Sequence, residues 1–413
     1  MSLAERRWLR LFTLCVLYVA QGIPWGFTAV TLPAYLANRG MDASAVGTAL
    51  AATVLPYSFK WVWGPIMDAF TIRRFGRRRP WIIFAQLGMA ATIGAMLAIP
   101  DLAQDLDLLM TMVLVHTVFN SMQDVAVDAL AVDLLDESER GRANGLMYGS
   151  KYGGGAIGGA GLSAVIAWSG LRSALVLQTV LLLAIMLVPL LVRERAGESP
   201  RGQPLGVVLR SLTRAFALRS TLLCGLLMLG QTIAIGLLTT IANVMFTQQL
   251  GWTDTKLAAV IGGPGLLLGL GGSVLGGFLA DKIGHRRLAG IAMVVLAVSW
   301  LGFAVARPLW HDDTFIYAVL FIEPLCSGVA TVSLFALCMD VSWPRIAATQ
   351  FTAYMSLSNF STTLGYRLAG PAEHWWTYQG IYVVAAVIHL SFAAILPFID
   401  PHQTRRTLGS GLD

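Results

Sequence analysis

Charged residues are scarce in this chain. Asp, Glu, Lys and Arg together make up 13% of its 413 residues, against about 25% in a typical soluble globular chain. That shortage argues against an ordinary water-soluble domain and makes lipid the expected solvent, as does the 56% hydrophobic content. Catalytic signatures are missing too. There is no Gly-x-x-x-x-Gly-Lys-Ser/Thr loop, no Gly-x-Ser-x-Gly elbow and no His-Glu-x-x-His pair, so ATP hydrolysis, acyl-enzyme chemistry and zinc-peptidase chemistry have no residues to carry them. The four cysteines, Cys15, Cys224, Cys326 and Cys338, have neither metal-ligand spacing nor the pattern of a secreted disulfide framework. The expectation is a non-enzyme with no cofactor, no metal site and packed free thiols.

What the sequence has instead is a series of apolar runs, each of roughly 20 residues, enough to cross a bilayer as helix. They fall near 11–36, 45–66, 81–99, 108–134, 142–167, 172–192, 217–245, 256–280, 287–306, 314–338, 346–369 and 377–398. Only helices and closed barrels satisfy every backbone group in hydrocarbon, and these runs are too long for barrel strands. The expected class is an all-α membrane protein of twelve transmembrane helices. The first run follows Arg6, Arg7 and Arg10 as a signal peptide would, but it is too long and ends in no small-residue cleavage site, so it is expected to stay attached.

The net charge of +6 is explained by topology. With both termini in the cytoplasm, 22 of the 29 Lys and Arg residues fall in cytoplasmic segments and four (Arg39, Arg172, Lys256 and Arg307) fall outside. That is the positive-inside asymmetry, and no nucleic-acid partner is needed to account for it. The chain divides into a six-helix half (1–192), a polar cytoplasmic linker (193–216) and a second six-helix half (217–413). Residues 205–216 read either as a short amphipathic helix at the membrane surface or as a solvated loop.

One motif occurs twice. Gly64-Pro-Ile-Met-Asp68, followed by Gly76-Arg77-Arg78-Arg79, returns as Gly277-Phe-Leu-Ala-Asp281-Lys282-Ile-Gly284-His285-Arg286-Arg287, and an Ala-Leu-x-x-Asp pattern ends at both Asp133 and Asp340. The copies lie about 210 residues apart, which implies two halves of like orientation. The glycine permits close helix approach, the aspartate caps or pairs at a neighbouring helix end, and the arginines hold a cytoplasmic gate. Gly64, Asp68, Arg78, Arg79, Gly277, Asp281, Arg286 and Arg287 are therefore gating candidates. Glycine-rich stretches at 149–161 and 262–272 are expected at tight helix contacts.

Ionisable groups inside apolar spans are costly and usually functional. Span four carries His116, Asn120, Asp124 and Asp128 at four-residue steps, hence on one helical face. Matched depths pair Asp124 with Lys151 and Asp128 with Lys60, a set suited either to proton coupling or to static ion pairs between helices. Asp133 reads as a gate or cap, and His116 as a site residue or a packing residue. Span one is interrupted at Gln21-Gly22-Ile23-Pro24-Trp25-Gly26, where Gly and Pro leave carbonyls available to a ligand. Gln21, Trp25, Asn120, Gln123, Tyr148 and Tyr152 offer hydrogen bonds and stacking faces to a sugar. Glu323 precedes Pro324 in span ten and is a further substrate candidate, with Arg367 as its partner in an outer gate.

The repeated Gly-x-x-x-Asp loop motif resembles that of the major facilitator superfamily. Within it, Gln21-Gly-Ile-Pro24, Tyr57-Ser-Phe-Lys60-Trp-Val-Trp63, Gln123-Asp-Val-Ala-Val-Asp128 and Glu323-Pro-Leu-Cys-Ser-Gly328 are similar to the AmpG muropeptide permeases and, more distantly, to the acetyl-coenzyme A transporters. The resemblance covers all twelve spans. It implies inward, proton-driven uptake of N-acetylglucosaminyl-anhydro-N-acetylmuramyl peptides for cell-wall recycling, by a monomer in the inner membrane whose partners are a small-molecule substrate, protons and the lipid bilayer. Two departures stand out. Lys151 occupies a position where the family often has arginine, and span seven reads Met228-Leu-Gly-Gln231 where the family tends to carry a lysine and an aspartate. A sugar, another peptide or an acyl anion therefore stays open as cargo, as does a sensor that has lost flux.

Overall fold

The computed structural model describes residues 2–32, 56–72, 75–99, 106–195, 204–252 and 260–409. Arg39, Lys256, the stretch 45–55 of the second expected span and residues 196–203 of the expected linker lie outside these. Among the described residues there is no β-strand, only two isolated bridges, Ser2 with Arg193 and Ile72 with Gly76. The protein is all-helical, as its apolar runs require.

In chain order the helices are α1 (Arg7–Gly26), α2 (Trp63–Ala69), α3 (Arg79–Met96), α4 (Leu106–Leu134), α5 (Arg140–Ala156), α6 (Leu162–Leu191), α7 (Leu205–Phe216), α8 (Arg219–Gly230), α9 (Ile233–Val244), α10 (Leu266–Ile283), α11 (His285–Val305), α12 (Asp313–Val341), α13 (Ala347–Trp375), α14 (Tyr378–Ala393) and α15 (Gln403–Leu408). Seven helical stretches among the described residues are long and apolar enough to cross a membrane. α4 and α13 are longer than most, at 29 residues each, but carry more polar side chains. Gly170, with φ 83°, breaks the helical run of α6 between the expected fifth and sixth spans. Span seven is broken as well, α8 ending at Gly230 and α9 starting at Ile233.

Two compact units form. One contains residues 1–135, 150–212 and 344–352; the other contains 136–149, 213–343 and 353–413. Each unit therefore includes a short segment from the other half of the sequence. The first buries Ile23, Phe27, Met89, Ile93, Leu162 and Leu175. The second buries Leu237, Leu296, Trp300, Phe303, Ile316 and Ile381. Large apolar side chains also lie on the outside, including Val180, Leu187 and Leu191 on α6 and Ile291, Val295 and Val298 on α11. Such an apolar exterior fits hydrocarbon as solvent.

The glycines do what close packing requires. A Cβ at Gly154 would come within 2.5 Å of the Val19 carbonyl oxygen, and one at Gly155 within 2.7 Å of the Trp25 ring, so only glycine lets α1 and α5 run this close. In the second unit a Cβ on Gly277 would press on the Cα of Gly145 at 2.8 Å. Residues 205–216 form α7, with Val208, Ser211 and Ala215 on its buried face. All four cysteines are free thiols.

Candidate functional site

The polar face of α4 is the centre of the first unit. Asn120, Gln123, Asp124 and Asp128 are all at most 3% exposed, within a stretch of α4 that is buried on every side from Asn120 to Val132. Asp124 sits between two ammonium groups: Lys60 Nζ is 2.7 Å from its Oδ2 and Lys151 Nζ 3.7 Å from its Oδ1. Asp128 instead accepts a hydrogen bond from the Tyr18 hydroxyl of α1. The pairing expected from depth is thus corrected for Lys60, which meets Asp124 rather than Asp128. The physical reason is local. Lys60 lies in a 3₁₀ turn, Lys60–Val62, whose longer rise alters depth, and its side chain is long enough to bridge a helical turn.

Around this cluster are several buried amide atoms with no protein hydrogen-bond partner among the described residues: both side-chain polar atoms of Gln21, Oδ1 of Asn120 and Oε1 of Gln123. Gln123 does donate to the Leu17 carbonyl at 3.4 Å. Buried groups of this kind are costly unless something bonds them. Trp25 is 41% exposed and Tyr152 is half-buried. His116 is held by the Thr92 hydroxyl (3.0 Å) and the Met89 carbonyl (3.2 Å); neither contact reaches Asp124. Tyr148 belongs to the second unit, packed on Phe335 with ring centroids 5.0 Å apart. Glu323 is half-buried on α12, Arg367 is exposed on α13, and among the described residues no ion pair joins them.

The two motif copies build two further clusters. In the first unit Asp68 Oδ1 accepts from Arg77 and Arg78, each at 2.8 Å, and Arg78 Nε also reaches Asp133 at 2.8 Å. Asp68 Oδ2 accepts from the Thr349 N–H (3.0 Å) and hydroxyl (2.9 Å), in the first turn of α13. Burial works against the Arg78 charge, but Asp133 and Asp68 outweigh it and raise its pKa, so this guanidinium stays ionised. Gly64 is buried on α2, close to Asp68 in the chain. Arg79 turns away from the carboxylates and donates to the Pro189 (2.8 Å) and Leu190 (3.3 Å) carbonyls near the end of α6.

In the second unit Asp281 accepts from the Gly141 N–H (2.8 Å) and the Arg142 N–H (3.0 Å), capping α5. Asp340 pairs with Arg140 at 2.6 Å and with His285 Nδ1 at 2.6 Å, while His285 Nε2 lies 3.4 Å from Asp281. Arg286, expected with Asp281 in a cytoplasmic gate, donates to the Ile399 and Pro397 carbonyls at 2.8 and 3.3 Å. Loop length explains why it and Arg78 have different partners. α3 begins three residues after the positive-φ Gly76, α11 one residue after the positive-φ Gly284, so equivalent motif positions face different neighbours. Arg287 is exposed. Residues that sequence reasoning did not place in the site include Tyr18, Arg140, His285, Glu194 and Thr349. Only Tyr18 carried a usable signal, being one helical turn before Gln21 and two before Trp25.

Comparison with known proteins bears on this arrangement. The Major Facilitator Superfamily profile matches residues 14–366. The anhydromuropeptide permease of Escherichia coli K12 is 28% identical over 91% of this chain and 77% of its own. A Rickettsia conorii protein named putative transporter AmpG 4 is 24% identical over 95% of this chain and 96% of its own. Among solved structures, the human organic anion transporter MFSD10 superposes with a TM-score of 0.72 at 12% identity, covering 94% of this chain and 98% of its own. The proton:xylose symporter XylE gives 0.70 at 11% identity, with 94% and 96% covered. At such identities these two speak for the fold alone.

Proposed function

Because the chain belongs to the major facilitator superfamily, we propose that this transporter imports anhydro-muropeptides in symport with protons. It is a multi-pass membrane transporter and not an enzyme. The muropeptide reading is supported by the 28% identity to a permease of that name across nine-tenths of the chain. The proposed setting is a bacterial inner membrane, crossed twelve times in two six-helix halves by a monomer with both termini in the cytoplasm.

The observation that carries proton coupling is Asp124 between Lys60 and Lys151. A carboxylate buried in a helix bundle keeps its charge only because two such cations offset the loss of water around it. When Asp124 takes up a proton its hold on both lysines drops. Lys60, 2% exposed, stays enclosed; Lys151, 23% exposed, is the better placed to meet a carboxylate of the cargo. Gln21, Asn120 and Gln123 then supply hydrogen bonds to sugar hydroxyl and acetamido groups, with Trp25 and Tyr152 as stacking faces. Tyr148 and Glu323 are proposed as the second unit's substrate contacts. Asp128, held by Tyr18, tunes the Asp124 site from one turn away.

Asp68 and Asp281 are proposed as gate residues, since each holds the start of a helix from the other half of the sequence. Gly64 and Gly277 allow the close approach. Arg78 completes the first gate and Arg79 braces it through helix-end carbonyls; Arg286 braces the second in the same way, and Arg287 adds cytoplasmic charge.

The test is uptake into proteoliposomes by purified protein, with an inward proton gradient and without one. N-acetylglucosaminyl-anhydro-N-acetylmuramyl peptide is expected to accumulate only with the gradient and to be preferred over amino sugars and acyl-coenzyme A compounds. Accumulation without a gradient retires the coupling, and transport of only the other cargoes retires the muropeptide.

A further inference from the structure

Glu194 stands three residues past the end of α6, where the expected linker begins, and is 7% exposed. Its carboxylate is turned onto backbone. Oε2 accepts from the Arg77 N–H at 2.8 Å, and Oε1 accepts from the N–H groups of Arg78 and Arg79 at 2.7 and 2.6 Å. These amides open α3, where N–H groups have no partner inside the helix, and bonds to an ionised acceptor are the strong kind. Gly76 fits this arrangement twice over. Its φ of 110° makes the turn, and a Cβ there would lie 2.5 Å from the Glu194 carboxylate.

The three residues gripped by Glu194 are those whose guanidinium groups spread over the first gate. Arg77 and Arg78 reach Asp68, Arg78 also reaches Asp133, and Arg79 returns to the α6 carbonyls beside Glu194. Glu194 is held from behind in turn: the Leu3 N–H donates to the Arg193 carbonyl (2.8 Å), the Ala4 N–H to the Glu194 carbonyl (3.0 Å), and Arg195 to the Asp133 carbonyl (3.1 Å). A continuous set of bonds thus runs from residues 2–4 through Glu194 and Arg77–Arg78 to Asp68, and from Asp68 to Thr349.

We propose that Glu194 is a positioning residue of the Asp68 gate, so that the first residues of the linker set how firmly residues 344–352 are held. Glu194 touches neither Asp68 nor Thr349. It acts by fixing the backbone from which Arg77 and Arg78 extend, and any displacement of the linker is passed to the gate through that backbone. The inference rests on the gating role proposed for Asp68.

Hydrogen–deuterium exchange on the full chain in lipid nanodiscs tests it, with transport kinetics in parallel. In Glu194→Ala the amides of 77–79 and, remote from the substitution, the amide of Thr349 should exchange about tenfold faster, as expected for loss of a charge-assisted bond. Asp68→Asn should do the same at Thr349. α12 should keep its exchange rate, which general destabilisation does not allow, and counterflow should change in maximal rate per folded transporter, with KM unaltered. Glu194→Gln keeps one acceptor oxygen and should fall between wild type and Glu194→Ala; it carries the same test if the alanine variant does not fold. Faster exchange at 77–79 with Thr349 unchanged makes Glu194 a local helix cap and overturns the proposal, as does uniform acceleration that includes α12. If Asp68→Asn itself leaves Thr349 unchanged, the gating reading fails first.

Discussion

The two units are both helical among the described residues and differ in what they bury. At depth the first places a carboxylate between two lysines, Asp124 with Lys60 and Lys151. The second has uncharged polar and aromatic groups at the break between α8 and α9: Gln231 donates to Ser358 at 3.0 Å, and its carbonyl meets His389 Nδ1 at 3.0 Å, against the Trp300 ring. Where the motif is repeated, the first unit holds its aspartates with Arg77 and Arg78, the second with Arg140, Arg142 and a histidine. Among the described residues, only the first is anchored by a linker carboxylate. A repeated motif therefore does not repeat its chemistry. Gating is proposed for both units, and coupling for the one that holds a carboxylate between two lysines.

The strongest way to break that division is Asp124→Asn against Glu323→Gln. Asp124→Asn removes the shared partner of two cations, one of them 2% exposed, and breaking a buried pair costs about 3–5 kcal/mol. Gradient-driven accumulation should vanish while counterflow persists, because asparagine mimics the protonated acid. Glu323→Gln should weaken affinity and leave the gradient dependence intact. Adding Lys60→Met to Asp124→Asn should restore melting temperature but not coupling. Coupled uptake by that double variant would make the cluster a static ion pair, and loss of coupling in Glu323→Gln alone would move the proton site to the second unit.

Next in size is Asp68→Asn against Asp281→Asn. Arg78 is wholly buried and would keep Asp133 as its one carboxylate, so a cost near the lower limit, about 3 kcal/mol, is expected. Asp281 chiefly caps two amides of α5, and losing a helix cap costs about 1 kcal/mol. Melting temperatures should rank the two in that order, and both variants should change transport rate more than KM. Equal losses of stability would mean that His285 and Arg142 bind Asp281 as firmly as Arg77 and Arg78 bind Asp68.

How much of this the sequence revealed follows from which interactions are local. The stripe from Asn120 to Asp128 was legible because helical periodicity alone puts these residues on one face. The repeated glycine and aspartate were legible because close packing and helix capping each demand one residue type at a fixed place. The partner of Lys60 was not, since it depends on a 3₁₀ turn and on span ends known only within several residues. Glu194 was not, because a glutamate in a polar linker reads the same whether it is solvated or buried on three amides. The neighbours of Arg286 were not legible either, because the motif fixes spacing along the chain, while its partners depend on where α11 begins.

Arg286 gives the smallest expected effect and the sharpest check on that last point. Read from the motif, Arg286 should act with Asp281, and its removal should resemble Asp281→Asn. Read from the structure, its two bonds go to the Pro397 and Ile399 carbonyls beyond the end of α14, where a cation steadies backbone acceptors but does not hold α5. Arg286→Ala should then cost about 1 kcal/mol, the usual net worth of hydrogen bonds at a partly exposed site, and leave transport rate and KM near wild type. Arg79→Ala should cost more, because Arg79 is 6% exposed and has a third acceptor in the Phe75 carbonyl at 3.0 Å. Thermal unfolding and counterflow of the two variants beside Asp281→Asn decide the matter: if Arg286→Ala slows transport as Asp281→Asn does, Arg286 belongs to the gate and the bracing role is wrong.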